Sequence, residues 1–176
     1  MTKRLLTPSK ITAWLDCTHY LTLRDEVDRG LREQPATGYG EMAQMLLDKG
    51  VRHEQEVLAR YRAMGRTVVE VPERERDESF GRWSARVGGI LHGGHDVIYQ
   101  MPFVHDGIRG VADFLERVTD PDGGARYEPV DAKLARGAAK PGHVLQLASM
   151  PRPWRRVLVA RPSACTSSSV PEPARR

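Results

Sequence analysis

Three β-type runs separated by two strong turn signals dominate the chain's second half and leave it little choice of local architecture. Residues 97–104 form one run, 108–118 the next and 125–134 the third. Between them lie His105-Asp106-Gly107 and Thr119-Asp120-Pro121-Asp122-Gly123-Gly124. Asp-Gly pairs tolerate the positive φ angles that tight hairpin turns need. The segment is therefore expected to be an antiparallel meander, which needs apolar cover on at least one face to be stable.

The remaining segments supply that cover. Thr7-Pro8-Ser9 reads as a helix start, with Thr7 as cap and Pro8 at the first helical position, followed by Ile11, Trp14 and Leu15 at helical spacing. Residues 31–40, containing Pro35, Gly38 and Gly40, read as a loop. A second helix is expected over about 41–64, with a bend at Gly50 and a stop at Gly65. A β-branched run at 67–71 is a strand, a charged stretch at 72–79 leads to a short helix over 80–90, and Pro141-Gly142 opens another helix at His143. Together these predict an α/β fold whose mixed sheet carries a central meander flanked by helices. At 176 residues the chain suits one domain with a sizeable core.

Composition changes after Leu147. Five of the last 29 residues are proline, and these same residues hold six arginines and one acid. A body over 1–147 and a Pro/Arg/Ser-rich disordered tail over 148–176 are expected, the change in mid-element reading as a truncated or frameshifted end. The net charge of +4 belongs to that tail, because 1–147 holds 21 basic and 22 acidic residues. The high pI is thus no footprint of nucleic-acid binding by the body. No apolar run approaches the roughly 18 residues of a membrane helix. Cys17 and Cys165 make neither a disulfide framework nor a CxxC site, so a reducing, cytoplasmic setting is the expectation.

The second hairpin suggests chemistry. Side chains alternate along a strand, so Asp131 and Lys133 share a face. A turn centred on Asp122 sets Asp113 opposite Asp131, and facing carboxylates repel unless something neutralises them. A divalent cation such as Mg²⁺ or Mn²⁺ suits two hard carboxylates, with Lys133 placed to hold a water or stabilise charge on a phosphate. The plainer alternative is a solvated hairpin face. His53, in Gly50-Val51-Arg52-His53-Glu54, falls at the edge of the helix face shared by Val57, Tyr61 and Met64. There it is either a half-buried core histidine or a ligand.

In order, these pieces are Gly-x-x-His-Glu on a helix, Gly110-Val111-Ala112-Asp113, Asp131-Ala132-Lys133 and Gln146 at a helix start. The set resembles the RecB-like nucleases of the PD-(D/E)xK superfamily across about residues 5–147, including Ser9-x-Ile11-x-x-Trp14-x-x-Cys17 and Val97-Ile98-Tyr99-Gln100. The resemblance is nearest to the branch in which this domain heads a longer protein, sometimes ending in a superfamily-1 helicase. It implies a restriction-endonuclease-like fold and hydrolysis of phosphodiesters in DNA, single-stranded DNA included. It implies His53, Asp113 and Asp131 as metal ligands, Lys133 as the catalytic lysine and Gln146 beside the site. Two departures stand out. The family's Gln-x-x-x-Tyr has Met150 where the tyrosine belongs. The iron–sulfur cluster of some relatives is not supported, since only Cys17 fits its cysteine pattern.

Two rivals follow: a catalytically inactive nuclease remnant, and a fragment that binds nucleic acid weakly through its basic tail. Other features read more simply. His92-Gly93-Gly94-His95 has metal-ligand spacing but too much glycine for a helix that aligns the rings. The run 73–78 reads as a solvated charged surface. Lys133, Arg136 and Lys140 are dispersed cations that could touch a phosphate backbone, and Trp14 and Trp83 are expected in the core.

Overall fold

The computed structural model describes residues 5–34, 40–119, 121, 123–132 and 141–151. It is an α/β structure built on a four-stranded mixed sheet of order β1-β2-β3-β4. The strands are β1 (Val68–Glu70), β2 (Val97–His105), β3 (Ile108–Thr119) and β4 (Ala125–Val130). β1 runs parallel to β2, whereas β2, β3 and β4 form the antiparallel meander. A parallel pair needs a crossover connection. Here it contains the helix Phe80–Val87, followed by a 3₁₀ turn at Gly88–His92.

The turn chemistry acts as the sequence predicts. Asp106 and Gly107 both have positive φ, 47° and 79°, and His105 pairs with Ile108 across them. Two positive φ angles match the right-handed twist of the flanking strands. The second hairpin runs from Thr119↔Ala125 to Phe114↔Val130, the register expected from a turn centred on Asp122. β4 stops at Val130, short of the expected end at 134, and Lys133 lies outside the described residues. The cause of the early stop is local: the Ala132 N–H donates to the Asp113 carboxylate at 3.2 Å and not to a β3 carbonyl.

The helices are α1 (Pro8–Asp16), α2 (Tyr20–Asp28), α3 (Glu41–Ala63), α4 (Phe80–Val87) and α5 (Pro141–Ala148). Thr7 caps α1, its hydroxyl accepting from Lys10 N–H at 3.4 Å. α1 and α2 are two separate helices. The chain leaves the helix at Cys17, which is extended, and restarts at Tyr20. α3 passes through Gly50 as one continuous helix and ends before Gly65, whose φ is +72°.

Two cores cover the two sheet faces. Leu58, with Val57 and Tyr61 of α3, packs on Val97, Tyr99, Phe114 and Val130. On the other face Trp83 and Val87 of α4 pack with Ile98, Met101, Phe103 and Leu115. That second core also takes in Leu147 and Met150, so packing continues past the expected boundary at 147. Residues 152–176 lie outside the described residues. Trp83 is buried as expected, but Trp14 is 44 % exposed, because α1 turns it away from both cores. No helix among the described residues is long and apolar enough to cross a membrane.

Candidate functional site

A cleft of about 550 Å³ opens between the start of α1, the 72–79 loop, β3 and α5. Asp113, Asp131 and Gln146 all line it, although they come from β3, the residue after β4, and α5. Arg74 and Arg109 line it too, together with Phe80 and Trp83 of α4. α1 can approach because position 110 is glycine. A Cβ there would come within 2.8 Å of the Phe103 ring and 3.3 Å of Pro8 Cδ. Phe103 is buried in the core and has no room to yield.

Asp113 sits at a break in the β2–β3 ladder. Tyr99 pairs with Phe114 and Met101 with Ala112, but Gln100 and Asp113 between them form no pair. Gln100 has φ of +61°, unusual for a residue that is not glycine. An unbroken strand would put residues 97, 99, 101 and 103 on one face. Here Val97 and Tyr99 face α3, whereas Met101 and Phe103 join the core of Ile98. The alternation therefore slips by one residue at Gln100, and Ala112 and Phe114 divide between the two cores in the same way. Asp113 emerges at this seam. A left-handed residue costs about 1–2 kcal/mol, and backbone strain of this kind gathers at functional positions.

A polar network from α3 braces the seam. Gln100 Nε2 donates to Glu54 Oε2 at 2.9 Å, and the Tyr99 hydroxyl donates to the same oxygen at 3.0 Å. Gln55 Nε2 in turn donates to the Tyr99 hydroxyl at 3.2 Å. Glu54 is a residue that sequence reading passed over. Its signal was only its place beside His53, since nothing in a helix period marks a carboxylate aimed at the sheet.

His53 is not among the residues lining the cleft. Its ring nitrogen lies 3.9 Å from the Glu56 carboxylate one turn along α3, and its side chain is 27 % exposed. Among the described residues no three His, Cys, Asp or Glu side chains gather closely enough to hold a metal ion. The expected set of His53, Asp113 and Asp131 thus appears as two carboxylates in the cleft with the histidine outside its lining. Lys133, Arg136 and Lys140 lie outside the described residues, as does Cys165, whereas Cys17 is an exposed free thiol.

The 73–78 run is more than a solvated surface. Arg86 donates to both Glu78 carboxylate oxygens at 2.8 Å and to the Glu73 carbonyl at 3.1 Å. The hydrogen bond from Arg86 holds the Glu78 carboxyl below its ordinary range. The run read as a solvated charged surface is thus tied to α4 through Arg86.

Tyrosines give the body an alkaline limit. Burial, then the hydrogen bond to Glu116, pushes the Tyr61 phenol far above its ordinary value. Burial, then Glu54, pushes up Tyr99, with the Asp113 charge adding to the effect. Burial also raises Tyr127. The folded state holds these protons more tightly than the unfolded chain. Their stabilisation is fully present below about pH 10, the unfolded tyrosine value, and is lost as pH climbs through the higher folded-state values. The melting temperature is expected to fall steeply above about pH 10, and less steeply in Tyr61→Phe. A melting temperature in Tyr61→Phe that falls as steeply as in the wild type would remove Tyr61 from this account.

No family model, no curated protein and no solved structure matches the chain.

Proposed function

We propose that the chain is a metal-dependent phosphodiester hydrolase acting on DNA, its sheet and helices forming a PD-(D/E)xK domain of the RecB-like kind. One observation carries the reading: Asp113, Asp131 and Gln146, the acids and the glutamine that the family resemblance selects, line a single cleft.

The donor set fits a hard divalent cation in kind, with two carboxylates and an amide oxygen. Mg²⁺ commonly takes one or two carboxylates and keeps several waters. Asp113 and Asp131 would hold the ion, and His53 enters as a ligand by resemblance alone. When bound, such a cation polarises the phosphate and makes a bound water more acidic. Asp113 is already oriented by the Ala132 N–H. Lys133, by resemblance, would steady the attacking water, and the Gln146 amide can donate a hydrogen bond within the cleft. Hydrolysis adds water across one P–O ester bond. The water oxygen bonds to phosphorus, the ester oxygen leaves, and that oxygen takes up a proton.

A second reading is an inactive remnant, favoured by Met150 at the tyrosine position, where it is buried in the core. Incubation of the whole chain with single-stranded DNA separates the two. Cleavage is expected with Mg²⁺ or Mn²⁺ and not with a chelator, and the metal is expected to raise the melting temperature by binding the native state alone. A metal-dependent melting shift without cleavage supports the remnant. The absence of both ends the metal-site reading.

A further inference from the structure

We infer that Arg74 and Arg109 form an anion-holding end of the cleft that seats a backbone phosphate of a nucleic-acid strand beside the aspartates. This deepens the hydrolase reading and rests on it for the identity of the strand.

Of the arginines among the described residues, Arg74 and Arg109 are the two that line the cleft. Arg24, Arg29, Arg32, Arg62, Arg86 and Arg126 each hold a carboxylate. Among the described residues neither Arg74 nor Arg109 forms an ion pair, although Asp113 and Asp131 line the same cleft. Their charge is left for something that enters from solvent.

Arg109 is held by an aromatic neighbour that spares its donors, and Arg74 by the anchoring of its loop. The Arg109 guanidinium lies 5.3 Å from the centre of the Phe80 ring, and Phe80 meets Trp83 edge-on at 5.4 Å. Stacking on an aromatic face orients a guanidinium while leaving its in-plane N–H groups open. The Arg109 backbone is tied as well, since its N–H donates to the Leu6 carbonyl at 2.8 Å. Arg74 lies on the tied loop. Trp83 Nε1 donates to the Pro72 carbonyl at 2.8 Å, and Arg86 donates to the Glu73 carbonyl, so the two residues before Arg74 are both anchored to α4.

Planar, preorganised arginines suit phosphate, which accepts two parallel N–H bonds. A cleft lined by two arginines and two carboxylates can take an anion at the arginines while the carboxylates, on the hydrolase reading, take a divalent cation. A strand of phosphodiesters offers successive anions to such a surface.

The test is binding of a fluorescent oligothymidylate to the full chain in chelator, where cleavage does not intervene, measured across a range of salt. Arg74→Gln and Arg109→Gln are each expected to weaken binding roughly tenfold. Each is also expected to lower the slope of log affinity against log salt by about one, the mark of one lost phosphate contact. Arg109→Lys keeps the charge and is expected to restore the slope while affinity stays below wild type. Arg60→Gln, on the exposed side of α3, serves as the control and leaves both unchanged. The arginines of residues 152–176 are common to all variants and cancel in the comparison.

Slopes unchanged in both glutamine variants overturn the inference, as does a wild-type chain that binds no oligonucleotide. If Arg109→Gln does not fold, a wild-type slope in Arg74→Gln overturns it alone. The two readings fail separately. Salt slopes that depend on the arginines, with no metal-dependent cleavage, uphold the inference and remove the hydrolase. Cleavage with slopes indifferent to the arginines does the reverse.

Discussion

Asp113→Asn is expected to lower Mg²⁺-dependent DNA cleavage by about a hundred- to a thousandfold, corresponding to several kcal/mol of lost transition-state stabilisation. The substitution is chosen for what it keeps. Asparagine offers an amide oxygen to the Ala132 N–H, so the hydrogen bond at the end of β4 survives. Alanine would strand that donor and add roughly 1–3 kcal/mol of structural damage. The substitution removes one of the two carboxylates that line the cleft. The rise in melting temperature on adding Mg²⁺ is therefore expected to shrink. Lys133→Ala is expected to lose cleavage but keep that metal response. Undiminished cleavage by Asp113→Asn would place the reaction elsewhere.

The second large effect is on stability. Phe114→Ala is expected to cost about 3–5 kcal/mol, the range for emptying a buried aromatic site. Phe114 is fully buried, pairs with Tyr99 on one side and Val130 on the other, and stands between two strands and α3. Its ring lies 5.4 Å from Tyr61 and 5.0 Å from Tyr99, so two aromatic contacts vanish with it. Against a typical total of about 5–15 kcal/mol, this is a large share. The midpoint of urea unfolding measures it. A loss below about 1 kcal/mol would mean that α3 does not clamp the sheet through this ring.

The meander was legible because turn chemistry is local. Asp106-Gly107 and the centring on Asp122 set both hairpins and their registers without reference to the rest of the chain. The seam was not legible, because glutamine carries no mark of a left-handed conformation. Gln100 adopts it through contacts with Glu54, a residue 46 positions away. The two tryptophans show the same limit. Trp83 and Trp14 both have helical apolar spacing, yet only the first finds a sheet beneath it. In the cleft, Asp113, Asp131 and Gln146 could be selected by resemblance. Arg74 and Arg109 could not, since their significance lies in the carboxylates they do not meet.

The early chain returns to the middle of the sheet. Leu6 bridges in parallel to Ile108, with Leu6 N–H on the Gly107 carbonyl and Arg109 N–H on the Leu6 carbonyl, and α1 packs against α5. Consequently Thr7 and Gln146 face one cleft from opposite ends of the described body. Closing so long a loop is entropically late, because distant contacts form only after nearer ones have repaid their ordering. During synthesis the hairpins can collapse while the residues that finish the cleft are still inside the ribosome. The cleft is thus the last thing the described body acquires, and the first that partial unfolding at either side of it takes away.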